Sequence, residues 1–434
     1  MLIRSSLRTA LLALLPAAAL AQQAPALGLG EYLGAVKQHN LDLQAQRESV
    51  VGSQAGIDIA GVRPDPQFSG GIASKELSGA NKPSASTATT AGLAFTLETG
   101  GKREARLNAA RSNLRLAQAG VAAFTNQLLA DAAAAFVELC RARATLVRRE
   151  SSLAAMRDVV RSNETRFKAG DIGRLELLQS RVEADRFQAD VVAARSATAA
   201  ADLGLANFLG ARRDDRFPGR EPDCEWRLDT PDGPADGLVA LALDAREDVR
   251  QARAAVDNAR ANVELAQANR KVDPTLNVGL TNTPRISPLY DAGGAVTNSP
   301  AQHSLALSLT LSVPIPLSRL QQGELAQARS AQAQAEFQLQ AALLKAETDV
   351  RVALAQHAGT ATNLRSYSEH LLADADQVLD GQRTSYRKGA ASLLDLLAAQ
   401  RSADEVVVAF LQARADEANA AVHLLQSLGR PIQP

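Results

Sequence analysis

The chain repeats itself, and internal repetition constrains architecture more than any single motif does. RFKAGDIGRLELLQSR runs from Arg166 to Arg181, and SYRKGAASLLDLLAAQ runs from Ser385 to Gln400. Placing Gly170 on Gly389 pairs Phe167 with Tyr386, Leu175 with Leu394 and Glu176 with Asp395. It also pairs Leu177 and Leu178 with Leu396 and Leu397, at an offset of 219 residues. Upstream, PDPQFSGGI (Pro64 to Ile72) matches VDPTLNVGL (Val272 to Leu280) at an offset of 208, and Ala110-Arg111-Ser112 matches Ala328-Arg329-Ser330 at 218.

Each half therefore reads as a helix, a Pro-marked approach, two strands, a very long helix, a Gly turn and a further long helix. The first repeat spans residues 22–212, with strands at about 67–75 and 91–98 and long helices at about 102–167 and 172–210. The second spans 238–434, with strands at about 275–282 and 303–313 and helices at about 321–387 and 391–428. Residues 213–237, rich in Pro, Gly and Asp, read as the connector. The stretches Ser78 to Thr89 and Asn282 to Pro300 have loop compositions.

The long helices carry heptad spacing. Leu107, Ala110, Leu114, Ala117, Val121, Phe124 and Leu128 step by three and four alternately, and Ala335, Leu339, Ala342, Ala346, Val350 and Ala353 form a second seam. At 1.5 Å per residue the first helix would reach on the order of 100 Å. The small Ala side chains let neighbouring helices approach closely. Aromatic residues make up 3% of the chain, which favours long packed helices over a thick core.

Inside this helical chain lies HSLALSLTLSV, from His303 to Val313. Leu305, Leu307, Leu309, Leu311 and Val313 share one parity; Ala306, Ser308, Thr310 and Ser312 share the other. The fold class is thus mainly α with a small β part. In lipid each unpaired edge amide costs several kcal/mol, so strands cross a membrane only as a closed barrel. The smallest such barrels have about eight strands, and one chain supplies four. Oligomerisation solves this, and three copies would give about twelve strands, with the leucines facing lipid and the polar parity facing a water-filled lumen.

MLIRSSLRTALLALLPAAALAQQ has Arg4 and Arg8 ahead of a short apolar run and a small-x-small site at Ala19-Leu20-Ala21, so residues 1–21 read as a secretory signal peptide. Gln22 follows the expected cut, so a lipid anchor on a new N-terminal Cys is not expected. Lys plus Arg equals Asp plus Glu at 47 each, which gives no reason to expect nucleic acid as a partner. Cys140 lies in a helical run and Cys224 in the connector, and these contexts favour unpaired thiols even in an exported chain.

The tip motif RFKAG...LELLQSR, its echo YRKGAASLLDLLAAQ, and the segments LETGGKREAR (Leu97 to Arg106) and VPIPLSRLQQGEL (Val313 to Leu325) resemble the TolC-type outer-membrane efflux proteins. The last two segments resemble the CzcC-type heavy-metal branch in particular. The resemblance implies a homotrimer with a twelve-strand barrel in outer-membrane lipid and a long periplasmic helical barrel. Its far end would meet a periplasmic adaptor (membrane fusion) protein and an inner-membrane RND-type pump. It further implies that Asp395 lines a periplasmic gate and that Tyr386 helps hold that gate closed; Glu176, at the matching repeat position just beyond Gly170, would bring a second carboxylate from each copy to the same end. The plainer alternative makes both acids first-turn helix residues favoured by the helix dipole.

Gly170 and Gly389 suit positive-φ turns at the hairpin tips. Leu175, Leu177, Leu178, Leu394, Leu396 and Leu397 are expected either in the hairpin core or at an adaptor contact. Lys102-Arg103 and Arg319 read as interfacial anchors. His39, His303, His357, His370 and His423 are scattered without ligand spacing, and no nucleophile or phosphate-loop motif occurs, so neither a catalytic site nor a metal or other cofactor is expected. The reading is an outer-membrane conduit of a tripartite exporter, with heavy-metal cations as cargo. Its alternatives are a conduit for organic compounds or secreted proteins, and a soluble periplasmic coiled-coil scaffold.

Overall fold

The computed structural model describes residues 25–72, 88–225, 227–285, 288–298, 302–316 and 322–432. The signal-peptide reading for 1–21, the end of the first strand at 73–75, most of the Ser78 to Thr89 loop, and Arg319 lie outside the described residues.

Two short helices, α1 (Leu29–His39) and α2 (Leu41–Gly61), meet at Asn40, whose side chain accepts from the Leu43 amide at 2.8 Å and caps α2. Strands β1 (Gln67–Ile72) and β2 (Thr89–Thr96) follow, then α3 (Lys102–Ala169) and α4 (Arg174–Leu209). The one-turn helix α5 (Arg213–Arg216) opens the connector. The second half begins with α6 (Ala235–Ala245) and α7 (Glu247–Asn269), then β3 (Thr275–Arg285). A two-stranded ribbon, β4 (Pro288–Tyr290) and β5 (Val296–Asn298), comes next, then β6 (Gln302–Ser312). Helices α8 (Gln322–Ser366), α9 (Leu372–Arg387) and α10 (Leu393–Ser427) complete the chain.

Several expected boundaries move. β2 begins at Thr89 rather than about 91, β3 runs on to Arg285, and β6 ends at Ser312, which leaves Val313 just beyond the strand but still exposed. The Asn282 to Pro300 stretch contains the end of β3 and the small ribbon, so it is not a plain loop. The expected unbroken helix to residue 387 is interrupted by a π-helical turn at Tyr367–Leu371. Such a wide turn takes up an extra residue and changes which face of the following helix meets its neighbours, something heptad spacing does not announce.

The four main strands form one antiparallel sheet in the order β1-β2-β3-β6. Its register aligns Phe68, Leu93, Val278 and Leu309 in one row, and Ala91, Leu280 and Leu307 in the next. The intervening row is Ser69, Gly92, Gly279 and Ser308, with small residues only. A Cβ added to Gly279 would stand 2.8 Å from Ser308 Oγ, so glycine is what lets the small face close up there. Leu305, Leu307, Leu309 and Leu311 are all well exposed within the single chain. Among the described residues the outer strands β1 and β6 have no further neighbour, and the sheet is open.

The sheet joins the helices through a polar corner. Asp273 accepts from the Thr99 amide at 2.8 Å and from Lys102 Nζ at 2.5 Å, and Glu98 pairs with Arg106. Lys102, expected as an interfacial anchor, is thus part of this corner.

Midway along α3 a core gathers Tyr32, Phe136, Leu139, Leu205 and Leu209, with the Tyr32 and Phe136 rings 5.3 Å apart. Here the connector is tied down. The Leu27 amide donates to Glu221 O at 2.7 Å, the Asp223 amide donates to Leu27 O at 2.8 Å, and Cys140 and Cys224 form a disulfide. The expectation of unpaired cysteines is corrected. Their Cα atoms lie 5.6 Å apart although 84 residues separate them, because the connector folds back across α3.

Candidate functional site

The two helical hairpins end side by side, and their ends are where the repeat placed its glycines. Gly170 has φ 84° and Gly389 φ 74°, and each closes the helix before it. The Asp171 amide donates to Arg166 O at 2.9 Å and the Ala390 amide to Ser385 O at 2.8 Å, the same turn used twice.

Tyr386, from the end of α9, is buried between the arms of the other hairpin. Its hydroxyl lies 2.9 Å from Glu176 Oε1 on α4 and 2.7 Å from Asn163 Oδ1 on α3. One proton cannot serve two acceptors, and the carboxylate is the stronger one. Asn163 Nδ2 is buried without a partner, and turning the amide over would let it donate to the phenol oxygen. The Arg166 guanidinium stands over the Tyr386 ring, 5.2 Å from its centroid. Burial, reinforced by the Glu176 carboxylate, pushes the Tyr386 phenol up to about 12, so it remains a neutral donor at any physiological pH.

Asp395 does something different. The Ser392 hydroxyl and amide donate to Asp395 Oδ2 at 2.7 and 3.2 Å, and the Asp395 amide donates back to Ser392 Oγ at 3.2 Å. This is a reciprocal capping box on α10. The same hydrogen bonds hold the exposed Asp395 carboxyl below the usual carboxylate range. Glu176 holds the matching place on α4, but Gly173 caps that helix without a side chain and leaves Glu176 free to reach Tyr386.

The leucines divide. Leu177, Leu396 and Leu397 are buried, whereas Leu175 and Leu394 are each 70% exposed and Leu178 is also exposed. Deeper in, charge ties the hairpins together. Arg401 on α10 donates to Glu183 on α4 at 2.7 Å. Asp404, 1% exposed, accepts from Ser152 at 2.6 Å and Arg148 at 3.2 Å and also pairs with Arg149. These pairs leave no buried carboxylate bare, which matters because removing one partner of such a pair typically costs about 3–5 kcal/mol.

The sequence reading missed Asn163 and Arg166. A signal for Asn163 was present: it stands seven residues after Met156 and ten after Leu153, on the buried seam of α3. Among the described residues, no cluster of three or more His, Cys, Asp and Glu side chains is placed to hold a metal ion.

The sequence pattern of the outer membrane efflux protein family matches residues 33–211 and 238–430. The chain belongs to the outer membrane efflux protein family. The cobalt-zinc-cadmium resistance protein CzcC of Cupriavidus metallidurans is 26% identical over 243 residues, an alignment that takes in 55% of this chain and 55% of that one. The chain thus spans about half the length of this curated relative. The fold is that of solved outer-membrane channels. CusC superposes with a TM-score of 0.75 at 21% identity over 95% of this chain and 96% of its own. The CmeC channel of Campylobacter jejuni gives 0.72 at 17% identity over 92% of this chain and 85% of its own.

Family membership places the open sheet of this efflux protein in the outer membrane and its long helices in the periplasm, and it sets aside the soluble scaffold. The paired hairpin ends lie at the far, periplasmic end of the molecule.

Proposed function

We propose that the protein is the outer-membrane conduit of a tripartite exporter and that heavy-metal cations are its cargo. The observation that carries this reading is the open four-stranded sheet, with leucine rows on one face and Ser and Gly on the other. Lipid cannot satisfy the free edges of β1 and β6, so each protomer must borrow strands from its sisters. Three copies give about twelve strands, wide enough for an aqueous lumen. The cargo class follows the CzcC relative and its cobalt-zinc-cadmium resistance.

In a homotrimer the hairpin ends converge on one constriction. Tyr386, clamped on Glu176 and Asn163, holds the two hairpins of a protomer together. Asp395, exposed and ionised, supplies a carboxylate from each copy, and such a ring attracts cations. The exposed Leu175, Leu178 and Leu394 offer an apolar rim to a periplasmic adaptor, behind which an inner-membrane RND-type pump supplies the energy. No step here calls for catalysis.

Two measurements test the proposal. In planar bilayers, Asp395→Ala weakens block of the conductance by divalent cations; unchanged block removes Asp395 from the constriction. Deletion of the gene sensitises cells to zinc, cobalt or cadmium; sensitivity confined to detergents and antibiotics would replace metal cations by organic cargo.

A further inference from the structure

A cavity of about 470 Å³ opens where the connector crosses the helices, beside the Cys140–Cys224 disulfide. Four arginines line it, each from a different element: Arg141 from α3, Arg227 from the connector, Arg365 from α8 and Arg414 from α10. The carboxylate in the wall is Glu417, and it faces His357 at 3.8 Å. Glu138 takes Arg141, and Arg414 donates to Cys224 O at 2.8 Å with Glu225 at 3.6 Å. Arg227 and Arg365 have no carboxylate within 4.0 Å among the described residues. Both are exposed at the cavity, whose remaining wall includes Leu228, Leu364 and Leu411.

This is the composition of a ligand site rather than of an ion-pair network, because arginine charge stands unmatched beside an apolar wall in a cavity of ligand size. Guanidinium groups suit oxyanions, which they grip through two parallel N–H bonds. The wall of leucine and alanine suits a hydrocarbon or aromatic body. The π-helical turn begins two residues after Arg365 and brings Ser368 to the rim, and such turns recur at functional sites.

We infer that this cavity binds an amphiphilic organic anion, a carboxylate, sulfonate or phosphate carried on an apolar body. The site is independent of the conduit reading and of the hairpin ends. It is also outside the bilayer. Cys140 lies 38 residues into α3, which starts at the corner of the sheet, so the cavity stands about 57 Å along the helix from that corner. The ligand therefore comes from the aqueous periplasm and not from membrane headgroups.

Trp226 is the chain's one tryptophan and is adjacent in sequence to Arg227, which lines the cavity. The test titrates 8-anilinonaphthalene-1-sulfonate into the purified protein in a neutral detergent and reads energy transfer from Trp226. Transfer should saturate. Octanesulfonate should displace the probe, whereas octanol at the same concentration should not. The double variant R227Q/R365Q should weaken the apparent Kd at least tenfold, while Arg365→Lys, which keeps the charge but loses the two-bond grip, should weaken it by a smaller factor than the double variant does. Equal displacement by octanol, or wild-type saturation in the double variant, overturns the proposal. The competitor comparison uses only the wild-type protein, so it decides the matter even if a variant fails to fold.

Discussion

The two hairpin ends start from one design and use it differently. Phe167 and Tyr386 are repeat mates, yet Phe167 is 40% exposed and Tyr386 only 5%. Glu176 and Asp395 each stand three residues past their N-cap, yet Glu176 reaches across to the other hairpin while Asp395 folds back onto its own helix. The difference originates in the cap. Ser392 supplies both a hydroxyl and an amide to Asp395, whereas Gly173 has no side chain to engage Glu176. A position duplicated in sequence is therefore not duplicated in role, because the neighbour three residues away decides which hydrogen bonds its carboxylate makes.

The largest break in the comparison should come from removing the rings. Tyr386→Ala empties a buried site and should cost about 3–5 kcal/mol, as large-to-small aromatic substitutions do. Phe167→Ala, at the matching place, should cost less, about 1–2 kcal/mol, because two fifths of Phe167 is still exposed to water. Denaturant unfolding followed by helical circular dichroism measures both. Equal losses would mean that the two ends are equivalent after all.

Next in size is the hydrogen bond itself. Tyr386→Phe and Glu176→Gln should each destabilise by about 1.5–3 kcal/mol, and their double variant should lose less than the sum. An additive cycle would show that the contact contributes nothing. The phenol also carries a pH signature. Its folded pKa of about 12 lies above the unfolded value of about 10. Protons are thus held more tightly in the folded state. The Tyr386 contribution should be intact below pH 10 and decline as pH rises from 10 towards 12. Tyr386→Phe should lack that decline relative to the wild type.

Much of this was legible in the chain, and what escaped did so for identifiable reasons. The alternation at Leu305, Leu307, Leu309 and Leu311 announces a strand whatever surrounds it, and Gly170 and Gly389 announce turns, because both depend on local geometry. The Cys140–Cys224 bond depends on the path of a connector 84 residues away from its partner, and no local pattern encodes that path. The π-helical turn at Tyr367–Leu371 shifts the seam within a sequence that still reads as helix. Asn163 was visible as a polar residue on a buried seam, but its partner comes from the other repeat, 223 residues on. The two exposed leucines at the ends, Leu175 and Leu394, stand two residues before the buried Leu177 and Leu396, and a one-turn window cannot distinguish them from the core positions beside them.

Smaller effects should follow the cap. Ser392→Ala removes the hydroxyl half of the box and should cost about 1 kcal/mol. It should also relax the Asp395 carboxyl towards its ordinary value. That group is held low in the folded state, so the stability it confers is present above the unfolded value of about 3.9 and is lost as pH falls through the lower folded one. In Ser392→Ala the loss on acidification should shrink, and an unchanged acid profile would show that the hydroxyl does not set the Asp395 pKa.

The smallest effect should be the most instructive. Gly173 has ordinary extended backbone, φ −76° and ψ 158°, and open space where a Cβ would go. Gly173→Ser therefore places the second end's cap on the first without strain, and the cap should add a few tenths of a kcal/mol to α4. The new hydroxyl would then compete with Tyr386 for Glu176. If the cap explains the divergence, Gly173→Ser should reduce the coupling between Tyr386 and Glu176 in the double-variant cycle even as α4 gains. If the coupling is unchanged, it is the extra methylene of glutamate over aspartate that sends Glu176 across the hairpins. Ser392→Gly with Asp395→Glu would then be the pair that converts the second end into the first.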